Sequence, residues 1–285
     1  MHDIAQTVFS VTMFSFVAAI LMEQGLGVTI SNLMEEFKKI KLIIIALVTN
    51  FIVIPLFAYA LISLFDASGG VRIGIILLSL GAGASFIPKI TQLARSNTDG
   101  AVGLMLLLTV TTIFFMPFAV PMIFPDASVS ALEITKSLMI TMLIPLASGM
   151  LIGAYRPEWV DRITPWTKKV SSISLLLLTI ALVYLYRDTI LANLDVIPII
   201  IVFVLGSMSI GYLSAGRNKA ARIPLSIGAG LRNTPVSMLV ATQYFSDEPI
   251  ASIMALLLII IALLILFPLA KYTGKNVEKS ARKNN

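Results

Sequence analysis

The chain has 285 residues, 58% hydrophobic and only 13% charged, too few polar groups to cover a soluble domain of this length, so the bilayer is the expected solvent. With no cysteine and a single histidine, His2, disulfides, thiolate metal sites and zinc chemistry are excluded; no metal, cofactor or catalytic residue is expected and the chain does not read as an enzyme. The net charge of +6 comes from basic residues in short segments between apolar runs, a pattern set by membrane topology and not by nucleic-acid binding.

Nine runs are apolar enough to cross a hydrocarbon core of roughly 30 Å as helices. In chain order they cover about 5–31, 41–65, 71–96, 100–124, 131–154, 168–187, 195–215, 222–245 and 250–271. The prediction is an all-α polytopic membrane protein with nine transmembrane helices in one transporter domain over 1–285, ending in a mobile basic tail at 272–285. The opening MHDIAQTVFS has neither a basic n-region nor a small-residue cleavage site after its apolar stretch, so a removed signal peptide is not expected.

With the N-terminus outside, one face collects Lys38, Lys39, Lys41, Arg95, Arg156, Arg162, Lys168, Lys169, Arg217, Lys219, Arg222 and the lysines and arginine of the tail. The other face holds Asp66, Asp126, Asp188, Asp195, Asp247 and Glu248, against only Arg72, Lys136 and Arg187. The positive-inside rule then predicts a cytoplasmic C-terminus in a cell (inner) membrane. Trp159 and Trp166 flank a basic loop in this reading and anchor it at the interface.

The third and eighth spans carry related phrases, GAGASFIPK from Gly81 and GAGLRNTPV from Gly228, 147 positions apart. Their neighbours correspond in order, giving repeat one at about 5–124, a linking helix at about 131–154 and repeat two at about 168–271. An odd number of spans between equivalent helices inverts the second copy. Gly81, Gly83 and Pro88, like Gly228, Gly230 and Pro235, are poor material for a continuous helix, because proline removes a donor and glycine permits an unwound link. Each phrase is therefore expected to break its helix near the midplane, where half-helix N-termini offer N–H groups to an anion.

Each break also contains a cation, Lys89 or Arg232, and such a charge deep in a span normally faces a cavity or a partner. Glu23 is the acid well inside a span and the expected ion-pair or coupling partner. Ser85, Asn233 and Thr234 complete the candidate substrate contacts; Gln24, Asn50, Thr91, Thr109, Thr111 and Thr112 are further candidates for a polar lining.

The order MEQGLGVTISNLMEEFKKIKLIIIALVTNFIVIP, LSLGAGASFIPKITQLARSN and IGAGLRNTPVSMLVATQYF resembles the bile acid:sodium symporter family over nearly the whole chain. The resemblance implies a core and a panel domain, two crossing discontinuous helices, and transport of organic anions together with two sodium ions. Where the family's first broken helix has a Ser-Asn pair, this chain has Ile87 and Pro88, followed by Lys89. Where the second has Glu and Gln, it has Gly228 and Arg232, with Asn233 retained; a Gln on the preceding long helix is matched by Asn50.

These replacements remove oxygen ligands and add fixed positive charge, which is hostile to a bound alkali ion. The expectation is a secondary transporter of a small organic anion, a carboxylate, in which Lys89 and Arg232 stand in for the two sodium ions. It would work by alternating access with the lipid bilayer as its surroundings. Sodium and nucleic acid are not expected partners, and proton coupling through Glu23 is left open. A sodium-coupled symporter and a non-transporting anion sensor are the alternatives.

Overall fold

The structure, a computed structural model, describes residues 2–28, 38–125 and 130–283. Among them every regular element is a helix. Asp126 and the 29–31 end of the first predicted span lie outside the described residues.

The helices are α1 (His2–Leu26), α2 (Ile40–Leu64), α3 (Gly69–Leu80), α4 (Ile87–Leu93), α5 (Thr98–Ile123) and α6 (Ala131–Tyr155). They continue with α7 (Pro157–Ala192), α8 (Val196–Ser214), α9 (Lys219–Gly230), α10 (Thr234–Tyr244) and α11 (Pro249–Lys283). Among the described residues seven helices, α1, α2, α5, α6, α7, α8 and α11, are long and apolar enough to cross a membrane. The other four form two consecutive pairs, α3–α4 and α9–α10, in which neither member alone reaches across roughly 30 Å at 1.5 Å per residue.

Local sequence explains the main irregularities. In α2 the turn Thr49–Val53 widens to a π turn just before Pro55, and in α6 the turn Met139–Leu143 does so before Pro145. A proline removes one donor from the i→i−4 ladder and crowds the preceding turn, and a widened turn relieves both. The starts of α5 and α9 are capped by asparagine: Asn97 Oδ1 accepts from the Gly100 N–H at 3.1 Å, and Asn218 Oδ1 from the Ala221 N–H at 3.3 Å.

Two boundaries differ from the sequence reading. The sixth helix starts at Pro157 and not near 168, because Pro157 occupies its first turn, where a missing N–H costs nothing. Trp159 and Trp166 therefore lie on a helix and do not flank a loop. The last span, predicted to end near 271, continues as helix α11 to Lys283, and a Cβ on Gly274 would overlap the Leu93 carbonyl, so the helix packs against the end of α4.

α1 lies along α6 and α7. Gly25 of α1 and Gly149 of α6 meet backbone to backbone, so that a side chain on either would overlap the other helix. Close approach through small residues is how helices associate where water supplies no driving force. α8 runs along α9, and α11 packs on α10, α3 and α4, while α5 touches α4, α9 and α6. The two interrupted pairs sit in the middle of this second group and are its most buried part.

Candidate functional site

The two interruptions meet, Asn233 of the second lying against Gly81–Gly83 of the first. α3 stops at Leu80, and Gly81 turns the chain into an extended conformation. Gly83 sits at φ +91°, a region closed to most L-residues, and its α-carbon is so close to the Thr109 backbone that no side chain fits. α9 keeps Gly228 and Gly230 in its last helical turn, and the chain unwinds only at Leu231–Asn233 before α10. The two related phrases therefore break at different points: the first glycines lie in the link, the second in the helix.

Side chains satisfy the backbone groups that the breaks expose, as membrane depth requires. The Asn233 N–H donates to the Gly81 carbonyl at 3.0 Å, and its Nδ2 reaches the Ala82 and Gly83 carbonyls at 3.2 and 3.3 Å. Thr112 donates to the Ala82 carbonyl at 3.0 Å and accepts from the Ala82 N–H at 2.9 Å. Thr109 donates to the Gly83 carbonyl at 2.8 Å, and Ser237 to Leu77 at 2.9 Å.

Arg232 lies at the centre and is 1% exposed. Its Nε donates to the Leu78 carbonyl at 2.9 Å and one terminal nitrogen to the Ser79 carbonyl, both in the last turn of α3. The other terminal nitrogen reaches Asn50 Oδ1 at 2.7 Å and the Ala229 carbonyl, in the last turn of α9, at 3.5 Å; the Asn50 carbonyl, in the π turn of α2, completes the set at 3.5 Å. A guanidinium has five N–H donors, and here five acceptors surround it. The C-terminal ends of two helices, where orphan carbonyls concentrate partial negative charge, converge on one cation.

This separates residues that the sequence suggested would act together. Arg232 and Lys89 do not share an anion pocket: Arg232 is enclosed by carbonyls, whereas Lys89 is exposed and lines a cavity of about 710 Å³. The helix ends converging on Arg232 are C-terminal, not the N-terminal ends expected to hold an anion. Asn50 pairs with Arg232 and stands apart from the cavity of Glu23. Beside Arg232, Ser85 and Thr234 there is a void of only about 10 Å³, room for about one water molecule. Thr91 is fully buried with its hydroxyl unpaired, and Thr111 bonds back to the Leu107 carbonyl within its own helix.

The large cavity lies between α1 and α7 on one side and α4, α5 and the first break on the other. Glu23 and Gln24 enter from α1, Ser85 from the break, Lys89 and Gln92 from α4, and Lys168, Ser171 and Ser172 from α7. Its mouth is among exposed Gly27, Gln92 and Lys168, at the end where most basic residues gather. Gln24 joins the two walls: its Nε2 donates to Thr109 Oγ1 at 2.7 Å, and its Oε1 accepts from Ser85 at 3.3 Å. Glu23, Lys89 and Lys168 share the cavity, and Glu23 and Lys89 form no direct ion pair.

Lys168, Ser171 and Ser172, with Gln92 and Thr98, are polar cavity residues that the sequence reading missed. The spacing of the first three, with Leu175, puts them on one helical face; all four lie inside the predicted sixth span of 168–187, where Lys168 counts only as a basic residue of the inner face.

Comparison with known proteins agrees with this architecture. A family profile described as "Sodium Bile acid symporter family" matches residues 7–193. The "Probable sodium/metabolite cotransporter BASS6, chloroplastic" of Arabidopsis thaliana is 24% identical over 242 residues, 78% of this chain and 58% of that protein. The "Uncharacterized sodium-dependent transporter YocS" of Bacillus subtilis (strain 168) is 23% identical over 273 residues, covering 93% of this chain and 83% of that protein. The chain thus spans little more than half the length of the plant relative. The family and both relatives are described as transporters, none as an enzyme, and the apolar helices are those of a multi-pass membrane protein. The match over most of the chain, α1 to the end of α7, places this protein in the sodium bile acid symporter family.

Proposed function

We propose that this protein is a secondary carrier for a small organic anion and that it works without sodium. The observation that carries the anion assignment is the cavity of about 710 Å³ with Lys89 on one wall and Lys168 on the other, opposed among the described residues by the single carboxylate of Glu23. Serine and glutamine side chains around them supply further donors. A carboxylate entering this space exchanges hydration for two ammonium groups that stand half-hydrated already.

Sodium independence rests on Arg232. An alkali ion at the crossing would be held by carbonyl and amide oxygens, which replace its hydration shell. Those oxygens, from Leu78, Ser79, Ala229 and Asn50, are engaged by the guanidinium. Arg232 is thus the tethered equivalent of one ion. Lys89 belongs to the substrate cavity, so the idea of two equivalent replacements narrows to one.

In this reading α3–α4 and α9–α10 each cross the membrane as a broken pair, giving nine spans in an inverted repeat. α1, α6 and α7 form the panel and the remaining helices the core. Rocking of one against the other exposes the cavity to each side in turn. The mouth among basic residues makes the present state cytoplasm-facing, with the N-terminus outside.

The test is counterflow of radiolabelled organic acids in proteoliposomes prepared in sodium, potassium or choline buffer. Equal, saturable counterflow in all three is the expected result. A steep sodium requirement favours the second reading, a sodium-coupled symporter, to which the printed descriptions of both relatives point.

A further inference from the structure

We infer that Glu23 serves the cavity as an internal stand-in for the substrate, and that binding of a monocarboxylate moves one proton onto it, making the carrier an electroneutral proton symporter. The inference rests on the carrier reading above and adds the species that is moved with the anion.

The argument begins with position. Glu23 occupies the last turn of α1, which ends at Leu26, and a carboxylate there faces the partial negative charge of the helix end. It is half-buried. Its ionised form therefore depends on the lysines across the cavity, Lys168 from α7 and Lys89 from α4. Among the described residues, the other elements packed against α1 bring no further charge into the cavity. α5 lines the cavity with Thr98, Val102 and Met105, and Asp99 is exposed outside it. α6 approaches through Leu146, Gly149 and Met150, and Tyr244 of α10 lies away from the cavity beside Ser137.

An arriving carboxylate needs the same two ammonium groups. A second carboxylate brought into the same cavity raises the proton affinity of the first, and the half-buried one fixed to the end of α1 is the one that takes a proton from the water at the cavity mouth. The exchange balances: before binding, two lysines face one ionised Glu23; afterwards they face one bound monoanion and a neutral Glu23. The cavity carries the same net charge empty and loaded, and each turnover moves one anion and one proton. A doubly charged acid breaks this balance, which makes monocarboxylates the matching class.

Lys168 and Lys89 stand on opposite walls, one on a helix packed with α1 and the other beside the first break. An anion held by both would draw the walls together. Neutral Glu23 would then travel without a desolvated charge of its own, which suits a step in which the cavity closes.

The experiment uses the full chain in proteoliposomes with radiolabelled pyruvate, lactate and succinate as probes. For the wild type an acid-outside gradient is expected to accumulate pyruvate or lactate, approaching about tenfold per pH unit, whereas a potassium diffusion potential with valinomycin has no effect. Glu23→Gln is expected to lose pH-driven accumulation relative to its own counterflow rate, and Glu23→Asp to keep it. A direct measurement on the purified wild type does not depend on variants: pyruvate or lactate added in weak buffer with a pH indicator should take up about one proton per bound anion. Counterflow that ignores the pH gradient, binding without proton uptake, accumulation by Glu23→Gln, or transport of succinate alone each overturns the inference while leaving a carrier. Absence of counterflow with every acid overturns the carrier reading, and this one with it.

Discussion

The guanidinium of Arg232 and the side-chain oxygen of Asn50 meet at 2.7 Å, 182 positions apart in the chain. The π turn before Pro55 and the unwound link before α10 together create that contact. Asn50 in turn donates its Nδ2 to the Ala46 carbonyl at 2.9 Å, so the amide is held from both sides. This pair connects α2 to the place where the two interruptions meet and fixes the orientation of the buried cation.

Replacing Arg232 with alanine should destabilise the protein by about 3–5 kcal/mol, since it strips the counter-charge from two helix ends and leaves their carbonyls unpaired. If the guanidinium stands where an ion would sit, sodium should raise the melting temperature of Arg232→Ala in detergent and choline should not. The wild type should respond to neither. A variant equally blind to both cations argues against the equivalence.

Asn50→Leu removes one hydrogen bond to a buried charge and should cost about 2 kcal/mol. Combined with Arg232→Ala it should cost less than the sum of the single changes, because the two side chains share one interaction. Thermal unfolding of the four proteins closes that cycle.

Gly83→Ala and Gly216→Ala separate backbone strain from crowding. Both glycines have positive φ, +91° and +54°, but only Gly83 faces the Thr109 backbone, whereas nothing lies within 4 Å of a Cβ at Gly216. Gly216→Ala should lose about 1 kcal/mol, and Gly83→Ala several times as much. Equal melting temperatures would show that the crossing is looser than described.

Lys168→Met and Lys89→Met should each weaken anion binding about tenfold or more, with little change in melting temperature, because both side chains are exposed in the cavity and hold no other helix in place. Ligand-induced thermal shifts measure this. Loss of affinity for Lys89 alone would remove Lys168 from the site.

The Gln24–Thr109 contact at 2.7 Å links α1 to α5 across the cavity and must open if the two groups of helices move apart. Thr109→Val should shift the protein away from the present state. The absence of native cysteine makes Ser172→Cys a clean reporter, and its labelling by an impermeant maleimide should slow in the Thr109→Val background.

How far the sequence led can be seen residue by residue. Glycine and proline at 81–88 and 228–235 announced two interrupted helices, because backbone chemistry is local. Where each interruption falls was not legible: it is decided by Asn233 and Arg232 reaching carbonyls more than a hundred positions away. Arg232 and Lys89 looked alike as isolated charges in apolar spans. Only packing distinguishes a cation enclosed by helix ends from one facing water. Lys168 looked like one more basic residue of the inner face, and only the packing of α7 along α1 shows that it lines the cavity together with Ser171 and Ser172.

A charge covalently attached to the chain is never released. An alkali ion in the same place could arrive from one compartment, depart into the other, and be replaced each time, so its concentration difference could push cargo uphill. If Arg232, locked among the carbonyls of α3, α9 and α2, holds that place as proposed, the protein keeps the architecture of such a machine while surrendering its fuel line, and any uphill work would draw on a different traveller, one that boards and leaves with every cycle.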